Sequence, residues 1–178
     1  MKRRKERKRK MMIDVFVIAL TLSLITGNIK NILKYEYRGL YLFAVPFVLQ
    51  LLPWKAITVP VSFFMLFLFF VWNRKLPGFK IMAVGAVLNG FTMSVNGGKM
   101  PVWEPTLRLL NLGLDFKHST FTEFSWKTML ADYIPVYFPW GRKSVISVGD
   151  ILVFIGVFIF FVLKPRFQSQ PSRVPHES

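Results

Sequence analysis

The chain has 178 residues, of which 53% are apolar and 19 are phenylalanine, and its formal net charge is +15. Such an apolar composition is unusual for a soluble domain and indicates a membrane as the natural solvent. The absence of cysteine excludes disulfides, thiolate chemistry and cysteine-based metal sites. Eight of the 24 basic residues lie between Lys2 and Lys10, and the others lie mostly between apolar runs. This distribution fits lipid headgroups and cytoplasmic loops, and we expect no nucleic-acid partner.

Apolar runs alternate with short polar segments along the chain, and a tilted helix needs roughly 20 such residues to cross about 30 Å of hydrocarbon. The pattern predicts an all-α fold, a polytopic transmembrane bundle of about five spans. The predicted spans are residues 11–27, 40–52, 57–72, 81–95 and 145–163. They form a single membrane domain, 11–163, between a basic arm, 1–10, and a tail, 164–178, predicted to be disordered. No small-x-small cleavage pattern surrounds Gly27, which favours an uncleaved first helix over a signal peptide.

The fourth span differs in composition from the others. It carries small and polar residues, which are typical of a helix packed closely against other helices: Gly85, Asn89, Gly90, Thr92 and Ser94. We therefore expect the fourth and fifth spans to pack together inside the bundle.

Residues 96–143 are too polar and too often interrupted by proline and glycine to span a bilayer, yet they are rich in aromatic residues. Aromatic residues of this density mark the membrane interface. The segment is predicted to be an interfacial loop between the last two spans. Within it, Pro105 to Leu112 predicts a short amphipathic helix that ends at Gly113 and lies on the membrane.

The turn after the fourth span, Asn96-Gly97-Gly98-Lys99, has two interpretations. Adjacent glycines allow backbone N–H groups to form an anion-binding nest beside Lys99. Asparagine and glycine also end helices in the left-handed conformation, and Pro101 prevents the helix from resuming. Local physics favours the helix cap, and the spacing lacks the Lys-Ser/Thr of a phosphate-binding loop.

The sequence Ser147-Val148-Gly149-Asp150 stands at the start of the last span. Serine or aspartate there can cap the helix by accepting hydrogen bonds from its first N–H groups. If the helix begins at Val145 instead, Asp150 lies more than a turn inside it. An intramembrane carboxylate is energetically costly and is usually functional.

No catalytic or metal-binding motif is apparent in the sequence. His118 with Asp115 or Glu123 is a weak ligand set for a metal, because it offers one histidine and scattered carboxylates. We find no nucleophile elbow, HExxH motif or supported Ser-Lys pair. We therefore expect no cofactor and no metal, and the sequence does not support an enzyme.

Several of these elements occur together in an order that resembles a known family. They are Gln50, Asn89, Asn96-Gly97-Gly98-x-Met100-Pro101-Val102, Leu112-Gly113-Leu114, His118, Asp132-x-Ile134-Pro135 and Ser147-x-Gly149-Asp150-Ile151-Leu152. The order is similar to that of a family of small, uncharacterised bacterial membrane proteins of unknown function, over nearly all of residues 12–163. The resemblance implies a multi-pass protein of the bacterial plasma membrane but supplies no activity. The chain departs from the pattern at Ala131, where glycine is expected, and in its basic arm.

The resemblance also favours a common site. Its residues are Asn96, Gly97, Gly98, Met100, Pro101, Asp132, Ser147, Gly149 and Asp150, to which we add His118.

The distribution of basic residues gives conflicting predictions of orientation. The basic arm places the N-terminus in the cytoplasm. The first and third loops and the tail carry three Lys or Arg each, against one in the second loop, which favours the opposite orientation. Met11 and Met12 are alternative initiators that would remove the arm. For the sequence as it stands, we favour a cytoplasmic N-terminus.

The functional prediction is a non-enzymatic membrane component. The Asn96 turn, Asp132 and Asp150 are predicted to converge under the 96–143 loop and to bind a small polar ligand or a lipid headgroup. One alternative is a small transporter or channel component, for which interrupted helices or inverted repeats are expected. A second alternative is an intramembrane enzyme.

Overall fold

A computed structural model describes residues 9–33, 35–113, 118–138 and 140–163. The predictions for residues 1–8 of the basic arm and for the tail, 164–178, lie outside the described residues. The helices are Arg9–Ile25 (α1), Ile29–Ile32 (α2), Leu40–Leu49 (α3), Lys55–Trp72 (α4), Phe79–Val95 (α5), Glu104–Leu110 (α6) and Val148–Val162 (α7). The strands are Met100–Trp103 (β1), His118–Phe121 (β2), Ile134–Tyr137 (β3) and Lys143–Ile146 (β4).

Five of the helices form a bundle in which neighbours along the chain run in opposite directions. The most extensive contacts between helices join α4 to α5, α5 to α7, α3 to α4 and α1 to α7. At one end, which we call the cap end, the turn after α5 lies against the start of α4, because a Cβ on Gly98 would stand 2.2 Å from the Lys55 carbonyl oxygen. At the other end, which we call the linker end, Asn28 donates from Nδ2 to the Phe161 carbonyl oxygen at 2.9 Å.

The core of the bundle at the linker end is aromatic. Phe70 and Phe79 meet edge to face with ring centroids 5.4 Å apart, and Phe160 lies 5.3 Å from Phe79. Tyr35 and Tyr37, from the linker segment between α2 and α3 (residues 35–39), pack on Phe160. These contacts fix the ends of α4, α5 and α7 to one another and to the linker segment.

The α5–α7 contact is close because glycines face each other across it. A Cβ on Gly85 would stand 2.6 Å from the Gly149 carbonyl oxygen, and a Cβ on Gly156 would stand 2.8 Å from the Gly78 carbonyl oxygen. No side chain fits at either position, so the two backbones pack directly. This confirms the prediction that these two helices pack together.

The described residues between 96 and 147 form a folded cap rather than the predicted loop. Strand β1 pairs in parallel with β2, and β3 pairs in antiparallel fashion with β4. On its second side, β1 is bridged by Asp132, which donates its N–H to the Pro101 carbonyl oxygen and accepts from the Trp103 N–H, each at 2.9 Å. The all-α prediction is therefore wrong for this segment. Its short β-branched and aromatic stretches pair their backbone groups in strands because a buried loop would leave those groups unsatisfied.

Helix α6 differs from the predicted interfacial helix in the residue at which it ends and in the surface against which it packs. It ends at Leu110, and Asn111 takes the left-handed conformation with a φ of 54°. Its buried leucines, Leu107 and Leu110, pack with Val102 and Val145 in the core of the cap. The apolar stripe therefore fills a small protein core, and Leu114 lies outside the described residues.

The helix lengths do not support the predicted bundle of five full spans. Among the described residues, α4 is the one helix that is long and apolar enough to cross a bilayer. Helix α3 has ten residues, and its Pro46 is followed by Pro53 at the turn into α4. At about 1.5 Å per residue, α3 rises roughly 15 Å, about half the hydrocarbon thickness.

Candidate functional site

The start of α7 is closed by a capping box that also joins α7 to α5. The Asp150 N–H donates to Ser147 Oγ at 3.0 Å, and the Ser147 N–H lies 3.4 Å from Asp150 Oδ2. Asn89, on α5, donates from Nδ2 to Asp150 Oδ1 at 2.7 Å and accepts from Ser147 Oγ at 2.9 Å. We call Asn89, Ser147 and Asp150 the capping network. Because α7 begins at Val148, Asp150 lies in its first turn and acts as a cap.

Gly149 belongs to the same group for a steric reason. A Cβ at this position would stand 2.0 Å from Asn89 Oδ1, which no packed structure allows. The glycine therefore leaves the space in which the Asn89 amide reaches both Ser147 and Asp150. Asn89 itself was predicted only as a packing residue. An amide in the middle of a largely apolar helix was the signal for its role, because such a group needs partners on a neighbouring helix.

The Asn96 turn is a helix C-cap, as local physics predicted. The Gly98 N–H donates to the Met93 carbonyl oxygen at 2.7 Å, and Gly97 has a φ of 64°, which together form a Schellman motif. Asn96 donates from Nδ2 to the carbonyl oxygens of Thr92 and Lys127, each at 2.8 Å. The turn therefore ends α5 and holds residue 127 of the cap.

His118 and Asp132 form a buried acid and imidazole pair in the cap. His118 Nε2 lies 3.8 Å from Asp132 Oδ2, and the two side chains are 13% and 5% exposed. They approach from opposite sides of β1, since His118 pairs with Met100 in the parallel register and Asp132 bridges Val102. Met100 and Pro101 are the buried strand residues between them.

The predicted site residues therefore divide into three local groups at the cap end: the capping network with Gly149, the Asn96 turn, and the His118 and Asp132 pair on the two sides of β1. The Tyr133 N–H lies 3.3 Å from the Ile146 carbonyl oxygen, so the β3–β4 register brings the residue after Asp132 opposite the start of the capping network. Asn96 is seven residues beyond Asn89, a rise of roughly 10 Å along α5. The capping network and the Asn96 turn hold helix ends in place. His118 and Asp132 remain the group with the chemistry of a ligand site.

The described residues hold no cluster of three or more His, Asp or Glu side chains suited to a metal ion. The His118 and Asp132 pair offers two potential ligands, which is fewer than structural or catalytic metal sites use.

The class of protein defined by these features is a small helical bundle with a tightly packed glycine interface, a largely apolar outer surface and a folded cap joined to it by hydrogen bonds. The chain belongs to a family of unknown function (DUF5317), whose model matches residues 8–162. It is similar to an uncharacterized protein of Thermotoga maritima, with 85% identity over 168 residues, which is 94% of this chain and 100% of the relative. No solved structure matches the chain.

Proposed function

We propose that the protein is a non-enzymatic, multi-pass membrane component whose helical bundle lies in the bilayer and whose cap lies at one surface. The observation that carries this proposal is the exposure of α4, of which 28% is buried although the helix is strongly apolar, with Lys55, Thr58 and Ser62 as its polar residues. The core helix of a soluble protein is mostly buried, and a signal sequence stands near the N-terminus, whereas α4 begins at Lys55. Lipid is the solvent that suits such a surface.

The other bundle helices also present large apolar side chains outward. These exposed residues include Val17, Leu24, Phe43, Phe47, Val61, Phe64, Val84, Val87, Phe91, Ile155 and Phe158. They are distributed over α1, α3, α4, α5 and α7. A continuous apolar surface of this kind favours insertion of the whole bundle over one anchoring helix.

Short helices can still cross a bilayer when the residues that flank them lie in its outer part. Helices α5 and α7 have 17 and 15 residues, so they rise roughly 26 and 22 Å. Bilayer thinning and snorkelling of flanking side chains accommodate such lengths at a modest cost. At the end of α3, Gln50 donates to Ser62 Oγ at 3.1 Å, and the exposed apolar residues Leu51, Leu52 and Trp54 continue towards the cap end.

Single-cysteine labelling tests insertion and sidedness, since the natural chain supplies a cysteine-free background. In intact cells and in inverted vesicles, we expect Glu36→Cys at the linker end and Asn111→Cys in the cap to react with a membrane-impermeant maleimide from opposite sides. Phe64→Cys, in the middle of α4, should react only after the membrane is dissolved and the protein unfolded. Labelling of Phe64→Cys in the native membrane preparation contradicts insertion of α4. Labelling of Glu36→Cys and Asn111→Cys from the same side contradicts an odd number of membrane crossings between these two positions.

We further propose that the cap binds a small polar ligand or a lipid headgroup at His118 and Asp132. The support is the burial of a carboxyl group and an imidazole within 3.8 Å of each other, on two chain segments that flank β1. An imidazole and a carboxyl group together supply the hydrogen-bond donors and acceptors that a small polar ligand requires. The other members of the predicted site support the geometry of the cap, and we assign them no contact with a ligand.

Thermal unfolding in detergent, with and without a bacterial lipid extract, tests this assignment. We expect the extract to stabilise the wild type and to lose that effect in Asp132→Asn. Asp150→Asn and Asn96→Ala serve as matched controls at helix caps, and they should lower stability equally with and without the extract. Loss of the lipid effect in the controls, with its retention in Asp132→Asn, moves the site to the helix caps at Asn96 and Asp150.

A transporter or channel component is the second candidate, and α3 is the feature that favours it. The helix ends at Leu49, and the Lys55 amine donates to the Gln50 carbonyl oxygen just beyond that end. A half-helix with polar groups at its end is a common element of transport sites. Transport predicts that Lys55→Gln abolishes uptake of a solute into vesicles while the protein remains folded.

A further inference from the structure

A groove opens at the linker end, away from every residue of the predicted site. Its cavity of about 810 Å³ lies between the linker segment, the start of α3 and the end of α4. The apolar part of its lining comes from Tyr41 and Leu42 on α3 and from Leu68 and Trp72 on α4. The sequence predicted only a polar loop here, because the residues that form the groove are far apart along the chain.

The groove is held open by a buried amide. Asn73, which is 5% exposed, accepts from the Arg38 N–H at 2.8 Å and donates to the Arg38 carbonyl oxygen at 2.9 Å. The same Nδ2 donates to the Phe69 carbonyl oxygen at 2.9 Å, which fixes the amide to the end of α4. Gly39 then passes the Trp72 ring so closely that a Cβ would stand 3.1 Å from it. The linker segment is therefore fixed in one position against α4.

This arrangement brings three basic side chains to the same rim. Arg74 and Lys75 follow the fixed Asn73, and Arg38 is held across the groove from them, while Glu36 supplies one negative charge. None of these four side chains forms an ion pair within the part of the chain that the structure describes. The rim therefore carries a net charge of +2 beside an apolar wall, since three positive charges face one negative charge.

We propose that this groove binds one anionic phospholipid. The phosphate lies against Arg38, Arg74 and Lys75, and an acyl chain runs along the exposed sides of Leu68 and Tyr41 towards the middle of the bundle. Guanidinium groups match phosphate oxygens in geometry and charge, and an indole such as that of Trp72 suits the headgroup level. The apolar wall selects a lipid over a free phosphate, because a free phosphate has no use for it. The inference rests on the proposed insertion of the bundle in a bilayer.

The test uses the full-length protein in nanodiscs of zwitterionic lipid with a small fraction of a fluorescent anionic phospholipid. We expect the wild type to enrich the anionic probe at the protein over the bulk lipid, as measured by energy transfer from tryptophan. Each basic side chain near an anionic surface is worth a factor of about five in binding. Arg38→Gln, Arg74→Gln and Lys75→Gln should each reduce the enrichment about fivefold, and the triple variant should remove it. Lys99→Gln, which removes the same charge at the cap end, is the matched control and should leave the enrichment unchanged.

The outcomes separate this inference from the proposal on which it depends. A protein that enters nanodiscs but shows no preference for the anionic probe overturns the groove and leaves the membrane proposal standing. Equal losses in Lys99→Gln and in Arg74→Gln also overturn the groove, because they indicate a diffuse charge effect. Competition by inorganic phosphate at millimolar concentration assigns the rim to a soluble anion instead. A protein that stays outside the nanodiscs overturns the membrane proposal itself.

Discussion

Exchanging the amide of Asn89 with the carboxylate of Asp150 tests the capping network most directly. Asn89→Asp alone places two carboxylates where the structure has an N–H···O bond of 2.7 Å. Two unit charges at that separation repel by about 6 kcal/mol at an effective dielectric constant of about 20. At pH 7 the repulsion is relieved when one carboxyl binds a proton, which costs about 4 kcal/mol for a group that ionises near pH 4. The single variant should therefore lose about 4 kcal/mol of stability, or about 8 to 16 °C in Tm.

The double variant Asn89→Asp/Asp150→Asn should recover nearly all of that loss. The new amide at position 150 donates to the new carboxylate at position 89, and the Ser147 hydroxyl still donates to that carboxylate. The amide oxygen at position 150 still accepts from the Ser147 N–H. Each of the hydrogen bonds described for the network is thus retained, and we expect the double variant within about 1 kcal/mol of the wild type.

The assay is thermal unfolding in detergent at pH 7, followed by the circular dichroism of the helices, for the wild type and the two variants. A double variant as unstable as Asn89→Asp refutes the reasoning, because it shows that these side chains do not act through the bonds described. The single variant should also regain stability as the pH falls towards 4, because its carboxylate pair then binds the proton without cost.

Three further predictions concern the close contacts of the bundle. Gly149→Ala places a methyl group on the Asn89 amide, and overpacking of this kind should lower the free energy of unfolding by about 1 to 3 kcal/mol in detergent. Asn73→Ala removes three hydrogen bonds, which costs about 2 to 3 kcal/mol, and hydrogen exchange should show faster exchange in the linker segment. Burial, with a smaller contribution from Tyr35, raises the pKa of Tyr37 to about 12. Stability should therefore be full below pH 10 and fall by about 1 kcal/mol as the pH rises to 12, and Tyr37→Phe should remove this fall.

Each of these predictions has a control. Gly97→Ala meets no atom within 4 Å, and its positive φ alone should cost about 1 to 2 kcal/mol without disturbing α7. Thr120→Ala, on an exposed strand residue, should leave hydrogen exchange in the linker segment unchanged. Tyr137→Phe should reproduce the alkaline fall of the wild type. If it removes that fall as Tyr37→Phe does, the ionisation of Tyr37 is not its cause.

The five bundle helices were largely predictable from sequence because their apolar runs are long and bounded by proline, glycine and charge. Predicted span 81–95 and the observed helix Phe79–Val95 differ by two residues at one end. The close packing of α5 against the last helix also followed from Gly85 and its small neighbours, because small residues in an apolar helix allow another helix to approach closely. The turn at Asn96 and the cap at Ser147 were predictable because helix ends are local events.

The cap and the groove were not predictable because both depend on contacts between distant residues. Strand β1 has four residues, and its partners are β2 and Asp132, which follow it through turns that carry no regular period. The groove requires Arg38 to lie across from Arg74, and Asn73, whose side-chain amide fixes the Arg38 backbone, is an ordinary loop asparagine in the sequence. Helix α3 ends at Leu49, three residues before the predicted end of that span at residue 52. Just beyond it, Gln50 donates to Ser62 of α4 and the Lys55 amine donates to the Gln50 carbonyl oxygen.

The separation of Asn89 and Asp150 by 61 residues has a consequence for biosynthesis. When α5 leaves the ribosome, the partners of its amide and the helix that covers its glycines have not yet been translated. The cap is synthesised in that interval, and β4 runs directly into the first turn of α7 through Ser147. The cap thus sets the rotation and depth at which the last helix docks. Assembly of the finished bundle is therefore a late step, and variants that disturb the cap should accumulate as unassembled chains that cellular quality control degrades.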